Sequence, residues 1–242
     1  MYQELKVAIY HLPIVGRLAH RCRLLLQRCS LPFGHSKDYW ERRYAHGGTS
    51  GSGSYGRLAE FKAEILNGIV AEQSIASVIE WGCGDGNQLT LAKYPRYLGM
   101  DISRTAIAQC RRRFSGDASK SFAEVAAAAS DPATMLRQAE LALSLDVIYH
   151  LVEDQVFEAY MESLFDSATR FVVIYSSNRD EIASLPHVRH RQFDRWIASQ
   201  RPQWSLVRHI PNRFPQRDLH DPETSHADFY LYQQLPAKVR PD

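Results

Sequence analysis

The stretch "VIEWGCGDG", ending at Gly86, constrains this 242-residue chain more than any other. A short apolar run closed by three glycines at alternate positions reads as a strand that ends in a tight turn. In open parallel sheets, ligands sit at the carboxyl ends of the strands, where glycine lets them approach the backbone. The spacing here is GxGxG with Asn87 following, so the dinucleotide pattern GxGxxG is not met. Glu80 and Asp85 would also repel a pyrophosphate, which needs a bare helix N-terminus.

The same rhythm continues along the chain. "YLGMD" is a second apolar run ending in a carboxylate, "LALSLDVIYHL" a fourth and "FVVIYSS" a fifth. The third, "SKSFAEV", runs into alanines and reads as strand, helix or both. Between most of them lie helical patterns. "SRTAIAQCRRRF" sets Ala106, Ile107, Cys110 and Phe114 on one side, and "EDQVFEAYMESLF" repeats Val156/Phe157, Tyr160/Met161 and Leu164/Phe165. Such alternation predicts a parallel sheet covered on both faces. After a helix in "RQFDRWIASQ", the strands "WSLVRHI" and "ADFYLYQQ" succeed one another without an intervening helix, which predicts an antiparallel pair at the sheet edge.

Upstream of the first strand, "SKDYWERRY" reads as a helix with Ser36 as N-cap, and "RLAEFKAEILNGIV" as a second with Leu58, Phe61, Ile65 and Leu66 at helical spacing. The glycine-rich loop "HGGTSGSGSYG" joins them. A linker does not fit between two helices that need the same core, so the loop is expected to be a mobile cover, with Ser50, Ser54 and Tyr55 as polar contacts.

Composition narrows the partners. Lys and Arg number 29 against 27 Asp and Glu, a net +2 that supplies no field for nucleic acid, and no separate basic, aromatic-rich RNA module appears. The cysteines Cys22, Cys29, Cys83 and Cys110 form no CxxC pair and read as reduced thiols of a cytoplasmic protein. No apolar run approaches the ~20 residues that span a bilayer. Residues 1–30 are basic and apolar together. They read as a helix packed on the domain or a second subunit, or as an interfacial helix drawn to anionic lipid at the inner face of the membrane.

Glu80 favours a cationic ligand, and Asp101, at the end of the second strand, stands where a carboxylate accepts from ribose hydroxyls. Together they ask for a nucleoside with a positive, phosphate-free tail, the form of S-adenosylmethionine. Here the chain resembles the class I S-adenosylmethionine-dependent methyltransferases. Their acidic residue followed by GxGxG matches Glu80, Gly82, Cys83, Gly84, Asp85 and Gly86; their second-strand acid matches Asp101; their fourth-strand motif is similar to "SLDVIYHL". The resemblance covers roughly residues 75–235. It implies a Rossmann-like, seven-stranded, mostly parallel sheet with helices on both faces, an antiparallel C-terminal edge strand and additional N-terminal helices. It also implies that Glu80 acts near the methionine ammonium, that Asp101 and Ile102 line the ribose site, and that Ser54 and Tyr55 close over the cofactor. The family's acid for the adenine amino group has no match. More narrowly, "YWERRYAHGGTSGSGSYGRLAEFKAEILN", "SLDVIYHLVED" and "HVRHR" resemble methyltransferases of bacterial surface-polysaccharide and other glycan assembly.

Methyl transfer from a sulfonium is an in-line displacement, and a hydroxyl acceptor must also lose a proton. Asp146 and His150 lie on and just after the fourth strand, with His150 as base or as packing over the cofactor, and Asp146 as an acceptor near the methionine group. "LPHVRHRQF" offers His187 and His190, three apart on a helical turn and flanked by Arg189 and Arg191. They read as a base, a metal pair with Asp146 or Asp194, or an anion patch for an acidic sugar or phosphate. No third ligand is fixed in sequence, so no metal is assigned. Trp40, Tyr44, Tyr55, Tyr149 and Tyr175 suit cofactor, sugar or core, and Arg111 to Arg113 read as solvated.

The expected organisation is a basic N-terminal segment over 1–35, a helical cap with its loop over 36–74, and a methyltransferase domain over 75–242. The expected activity is O-methylation of a sugar or glycan-type acceptor. The alternatives are methylation of another small molecule, a lipid-linked carrier or a protein, or a non-catalytic cofactor-binding partner of a glycosyltransferase.

Overall fold

In the computed structural model, β1 (Val78–Trp81) pairs in parallel with β2 (Tyr97–Asp101) on one side and with β4 (Ala139–Leu145) on the other. The strand that carries the glycine turn therefore sits where the strand order reverses, which is where open sheets bind ligands. The structure describes residues 34–126, 138–183, 185–218 and 221–236. By its contacts the chain divides into Met1–Pro32 and Phe33–Asp242, and the sheet belongs to the second unit. The helix expected within residues 1–30, its membrane contact and most of the alanine run after the third strand lie outside the described residues.

β3 (Lys120–Glu124) extends the sheet beyond β2, so "SKSFAEV" is a strand, and β5 (Ala168–Ser176) lies beside β4, all in parallel. β9 (Asp228–Gln234) runs antiparallel between β5 and the edge strand β8 (Trp204–Ile210). The seven strands thus take the order β3-β2-β1-β4-β5-β9-β8. The expected seven-stranded, mostly parallel architecture with an antiparallel edge is present.

Alternation along the strands creates two cores. Val78, Leu141, Leu143 and Val173 face one side with Phe61, Leu66, Ile107 and Cys110. Ile79, Ala142, Val172 and Ile174 face the other with Phe157, Met161, Leu164 and Phe193. The first layer is supplied by α2 (Gly56–Glu72) and α3 (Arg104–Arg113), the second by α4 (Asp154–Asp166) and α5 (Phe193–Gln200). Each fully buried Leu or Phe contributes roughly 1.5–3 kcal/mol of transfer free energy. That packing, more than intrinsic helicity, holds elements of this length. Among the described residues, no helix is long and apolar enough to cross a membrane.

Two local expectations change. α1 (Ser36–Ala45) has His35 as its N-cap residue, and Ser36 is the first residue inside the helix. The Ser36 hydroxyl donates to Glu153 Oε2 at 2.5 Å and to the His150 carbonyl at 3.0 Å, so a tertiary carboxylate took the hydroxyl that a cap would have used. The segment carrying His187 and His190 is no helical turn either. Arg189–His190 forms the short strand β7, paired antiparallel with β6 (Glu181–Ile182), and the two imidazoles do not share a helical face.

Candidate functional site

Gly82, Gly84 and Gly86 all have positive φ, a region side chains disfavour. Each also faces a close neighbour. A Cβ at Gly82 would overlap Val147, one at Gly84 would overlap the Ser50 hydroxyl, and one at Gly86 would come 2.9 Å from Cys110 Sγ. The turn thus packs against the end of β4, the glycine loop and α3.

Asp101 holds the turn from beneath. Its Oδ2 accepts the Gly84 N–H at 2.9 Å and its Oδ1 the Ser103 N–H at 2.8 Å. Burial pushes its carboxyl up to about 6 in spite of these bonds. On β1, Glu80 accepts the Tyr97 hydroxyl at 2.6 Å, and burial pushes it up to about 7, although Tyr97 and the Lys62 charge pull the other way.

The glycine loop is latched rather than loose. Asp85, which is buried, accepts the Ser50 N–H at 3.0 Å and the Tyr55 hydroxyl at 2.7 Å on Oδ2. In return the Asp85 N–H donates to Ser50 Oγ at 2.9 Å, and Asn87 Nδ2 donates to the Ser54 carbonyl at 2.8 Å. The same carboxylate that argued against a pyrophosphate fastens the cover to the turn. Ser36, Trp40 and Tyr44, spaced four apart along α1, form another wall. α1 is fixed at its start by the Ser36 contacts. Near its middle, the Glu41 carboxylate accepts from the Ser103 and Thr105 hydroxyls, both at 2.6 Å.

At the end of β4, Asp146 adopts a φ of 60°, uncommon for a residue with a side chain. Its Oδ2 accepts from Lys62 Nζ at 2.7 Å and its Oδ1 from the Tyr149 hydroxyl at 2.8 Å. The next turn, Ile148–His150, brings His150 to the same space. His150 Nδ1 lies 2.9 Å from the His187 carbonyl oxygen. A carbonyl only accepts, so Nδ1 carries the proton and Nε2 keeps its lone pair. The His150 ring meets Trp40 edge-on with centroids 4.9 Å apart. Burial pushes its pKa down to about 3, so it is neutral at pH 7.

These groups share one cavity of about 390 Å³, within the usual range for a small-molecule site. Of the residues singled out in sequence, Glu80, Gly82, Cys83, Gly84, Asp101, Ile102, Ser54, Asp146 and His150 line it. Gly86, Tyr55, His187 and His190 do not. Gly86 packs on α3, and Tyr55 is spent on Asp85. His187 stacks on Tyr39 with centroids 4.6 Å apart. His190 is buried against Ser177 Oγ at 2.7 Å, and burial pushes it down to about 4. His187 and His190 thus stand outside the lining of the cavity that holds His150 and Asp146. Arg189 and Arg191 both pair with Asp154, and Arg191 also donates to the Leu151 and Val152 carbonyls, so the anion patch is a structural clamp. Among the described residues, no group of three or more His, Cys, Asp or Glu could hold a metal ion.

Sequence reasoning missed Lys62 and Gln88, both of which line the cavity. A signal for Lys62 was present: it stands four residues from Leu58 and four from Leu66, on the apolar stripe of α2.

No protein-family model and no curated protein matches this chain. Solved structures do. The N-methyltransferase NodS from Bradyrhizobium japonicum WM9, in complex with S-adenosylhomocysteine, is 16% identical with a TM-score of 0.60, over 83% of this chain and 99% of that one. Magnesium protoporphyrin IX methyltransferase (ChlM) from Synechocystis PCC 6803, also with S-adenosylhomocysteine bound, is 13% identical with a TM-score of 0.55, over 95% and 99%. The methyltransferase domain of bacterial CtHen1 is 17% identical with a TM-score of 0.56, over 72% and 97%. The fold of this chain is that of the class I S-adenosylmethionine-dependent methyltransferases.

Proposed function

We propose that the chain is an S-adenosylmethionine-dependent methyltransferase that methylates a hydroxyl of a sugar or glycan-type acceptor. The observation that carries this reading is that the glycine turn and a neutral His150, whose Nδ1 is bound to the His187 carbonyl, line one cavity. The cavity fits the cofactor chemically. Carboxylates at Glu80, Asp101 and Asp146, the first two buried, outnumber the one lysine among its lining residues, which suits a ligand with a positive tail. NodS and ChlM, both solved with S-adenosylhomocysteine, support a cofactor of this kind.

In this reading the glycine turn and Asp101 hold the nucleoside, and Glu80 supplies negative charge near the tail. The cofactor, when bound, supplies an electrophilic methyl group. His150 Nε2 accepts the proton of the acceptor hydroxyl, and the Nδ1–H bond to His187 keeps that lone pair available. A weak base suffices there, because a hydroxyl oxygen attacking carbon becomes strongly acidic as its bond forms. Placement of the acceptor in line supplies much of the remaining acceleration. The same reading puts the enzyme in the cytoplasm, serving glycan assembly with or without a glycosyltransferase partner.

Two measurements test it. Calorimetry with S-adenosylmethionine checks the cofactor, and no binding at millimolar ligand ends the proposal. Mass spectrometry of sugar and nucleotide-sugar acceptors incubated with enzyme and cofactor checks the substrate; methyl addition only to an amine or carboxylate would replace the hydroxyl acceptor.

A further inference from the structure

We propose that Lys62 binds the α-carboxylate of the cofactor's methionine portion while Gln88 receives the adjoining α-ammonium; the assignment rests on reading the cavity as an S-adenosylmethionine site. Neither residue belongs to the glycine turn's recognised pattern, and both are explained poorly by packing alone.

Lys62 is 1% exposed, near the middle of α2. A lysine is almost never fully buried unless its charge is matched. Its Nζ donates to Asp146 Oδ2 at 2.7 Å and stands 5.3 Å from the centroid of the Tyr175 ring. An ammonium has three donors, and the Asp146 bond uses one. The Asp146 carboxylate is itself shared with Tyr149. Among the described residues that line the cavity, Lys62 is the only lysine or arginine. An anionic group entering this space therefore has one cationic side chain to meet.

Gln88 presents the opposite need. Its Nε2 donates to the Ala59 carbonyl at 3.0 Å, while its Oε1 is buried with no hydrogen-bond partner. A buried carbonyl oxygen without a donor is costly to leave unmatched. Ala59 lies three residues before Lys62 on α2, so both side chains are tied to the same turns of that helix. Unused donors on a cation and an unused acceptor in one cavity complement a zwitterion. Within the cofactor, the amino-acid terminus is the part with that character.

The test compares three nucleosides by calorimetry: S-adenosylhomocysteine, its decarboxylated analogue, and methylthioadenosine, which lacks both charged groups. The wild-type protein is expected to bind S-adenosylhomocysteine roughly 10- to 100-fold more tightly than the decarboxylated analogue, the range for one charge-assisted pair. Lys62→Met should erase that preference and leave affinity for the decarboxylated analogue within about threefold; Lys62→Arg should restore part of it. Gln88→Leu should narrow the gap between the decarboxylated analogue and methylthioadenosine. Equal weakening of all three ligands by Lys62→Met, or no wild-type preference for the carboxylate, overturns the assignment; an unchanged gap in Gln88→Leu removes Gln88 from it. Failure of the wild type to bind any of the three overturns the cofactor reading as well. Because Lys62→Met also removes the cation beside Asp146, Lys62→Met/Asp146→Asn is compared with Asp146→Asn by the same criterion.

Discussion

His150 donates its Nδ1 proton to the carbonyl oxygen of His187 across 2.9 Å, and this bond selects the tautomer that presents a lone pair at Nε2. Burial, the largest influence on the ring, keeps it neutral down to about pH 3. His150→Ala is expected to lower methyl transfer roughly 100-fold or more while leaving cofactor affinity nearly intact. At saturating cofactor, the wild-type rate should show no acid limb at the ordinary histidine value of 6.5. A limb at that value which disappears in His150→Ala would show a ring that titrates normally and would contradict the buried, neutral imidazole.

Glu80 makes a second pH prediction, with the opposite sign. Its carboxyl titrates at about 7 in the folded protein against 4.5 in the unfolded chain. It therefore stabilises the fold below pH 4.5, and that contribution, on the order of 3 kcal/mol, is lost as pH rises through 7. His150 opposes it, since a depressed histidine costs stability as pH falls from 6.5 toward 3. Comparing variants separates the two. Glu80→Gln should melt higher than the wild type at pH 8, with little gain at pH 4.5, and should bind S-adenosylmethionine more weakly. Equal melting shifts at both pH values would mean that Glu80 is not held protonated by burial.

Asp85 accepts two of the hydrogen bonds that join the glycine turn to the loop above it, from the Ser50 N–H and the Tyr55 hydroxyl. Replacing it with Ala removes the acceptor for Ser50, Tyr55 and the Asn87 N–H. Leaving such donors unmade should cost roughly 1–3 kcal/mol in unfolding free energy. Limited proteolysis should cut faster between Gly47 and Gly56, and stopped-flow should show faster S-adenosylhomocysteine release. Unchanged cleavage and release would make the latch irrelevant to the cover.

Gly53 and Gly51 separate shape from strain. A Cβ at Gly53 would come 2.6 Å from Asp146 Oδ2, whereas one at Gly51 meets nothing within 4 Å but sits at a φ of 95°. Gly53→Ala should disturb Asp146 and lower turnover by roughly tenfold or more, as small displacements near reacting groups do. Gly51→Ala should cost roughly 1–3 kcal/mol of stability, because its backbone lies in a region essentially restricted to glycine, and leave turnover almost unchanged. Turnover lost equally in both would assign the effect to loop strain alone.

What was legible in sequence is what depends on neighbours along the chain. The buried strands appear as apolar runs because both faces of a parallel sheet are covered. Three glycines and Asp101 mark the turn because backbone conformation and close approach leave little choice there. Contacts between distant segments were hidden. Lys62 meets Asp146 from 84 positions away, and Ser36 meets Glu153 from 117. The strands around His190 have two residues each, too short for any period to show. The family's acid for the adenine amino group has no match in the sequence, and just past β3 the side chain that lines the cavity among the described residues is Val125. Lys62 had a visible signal, a charge on an apolar stripe, but its meaning came only with the cavity beside it.

α1 is bolted to the starts of two other helices, through Glu153 ahead of α4 and through Ser103 and Thr105 at α3. A wall fastened at its start and near its middle cannot swing without disturbing the layers it joins. The loop between α1 and α2 is fastened by a handful of hydrogen bonds around Asp85 and Asn87, and traffic into the cavity is expected to pass there. Residence time of a bound ligand is then expected to follow the loop's fastening, while the helical layers carry most of the stability of the fold. Selection or engineering can slow or hasten exchange at the loop without remaking the helices that hold the sheet.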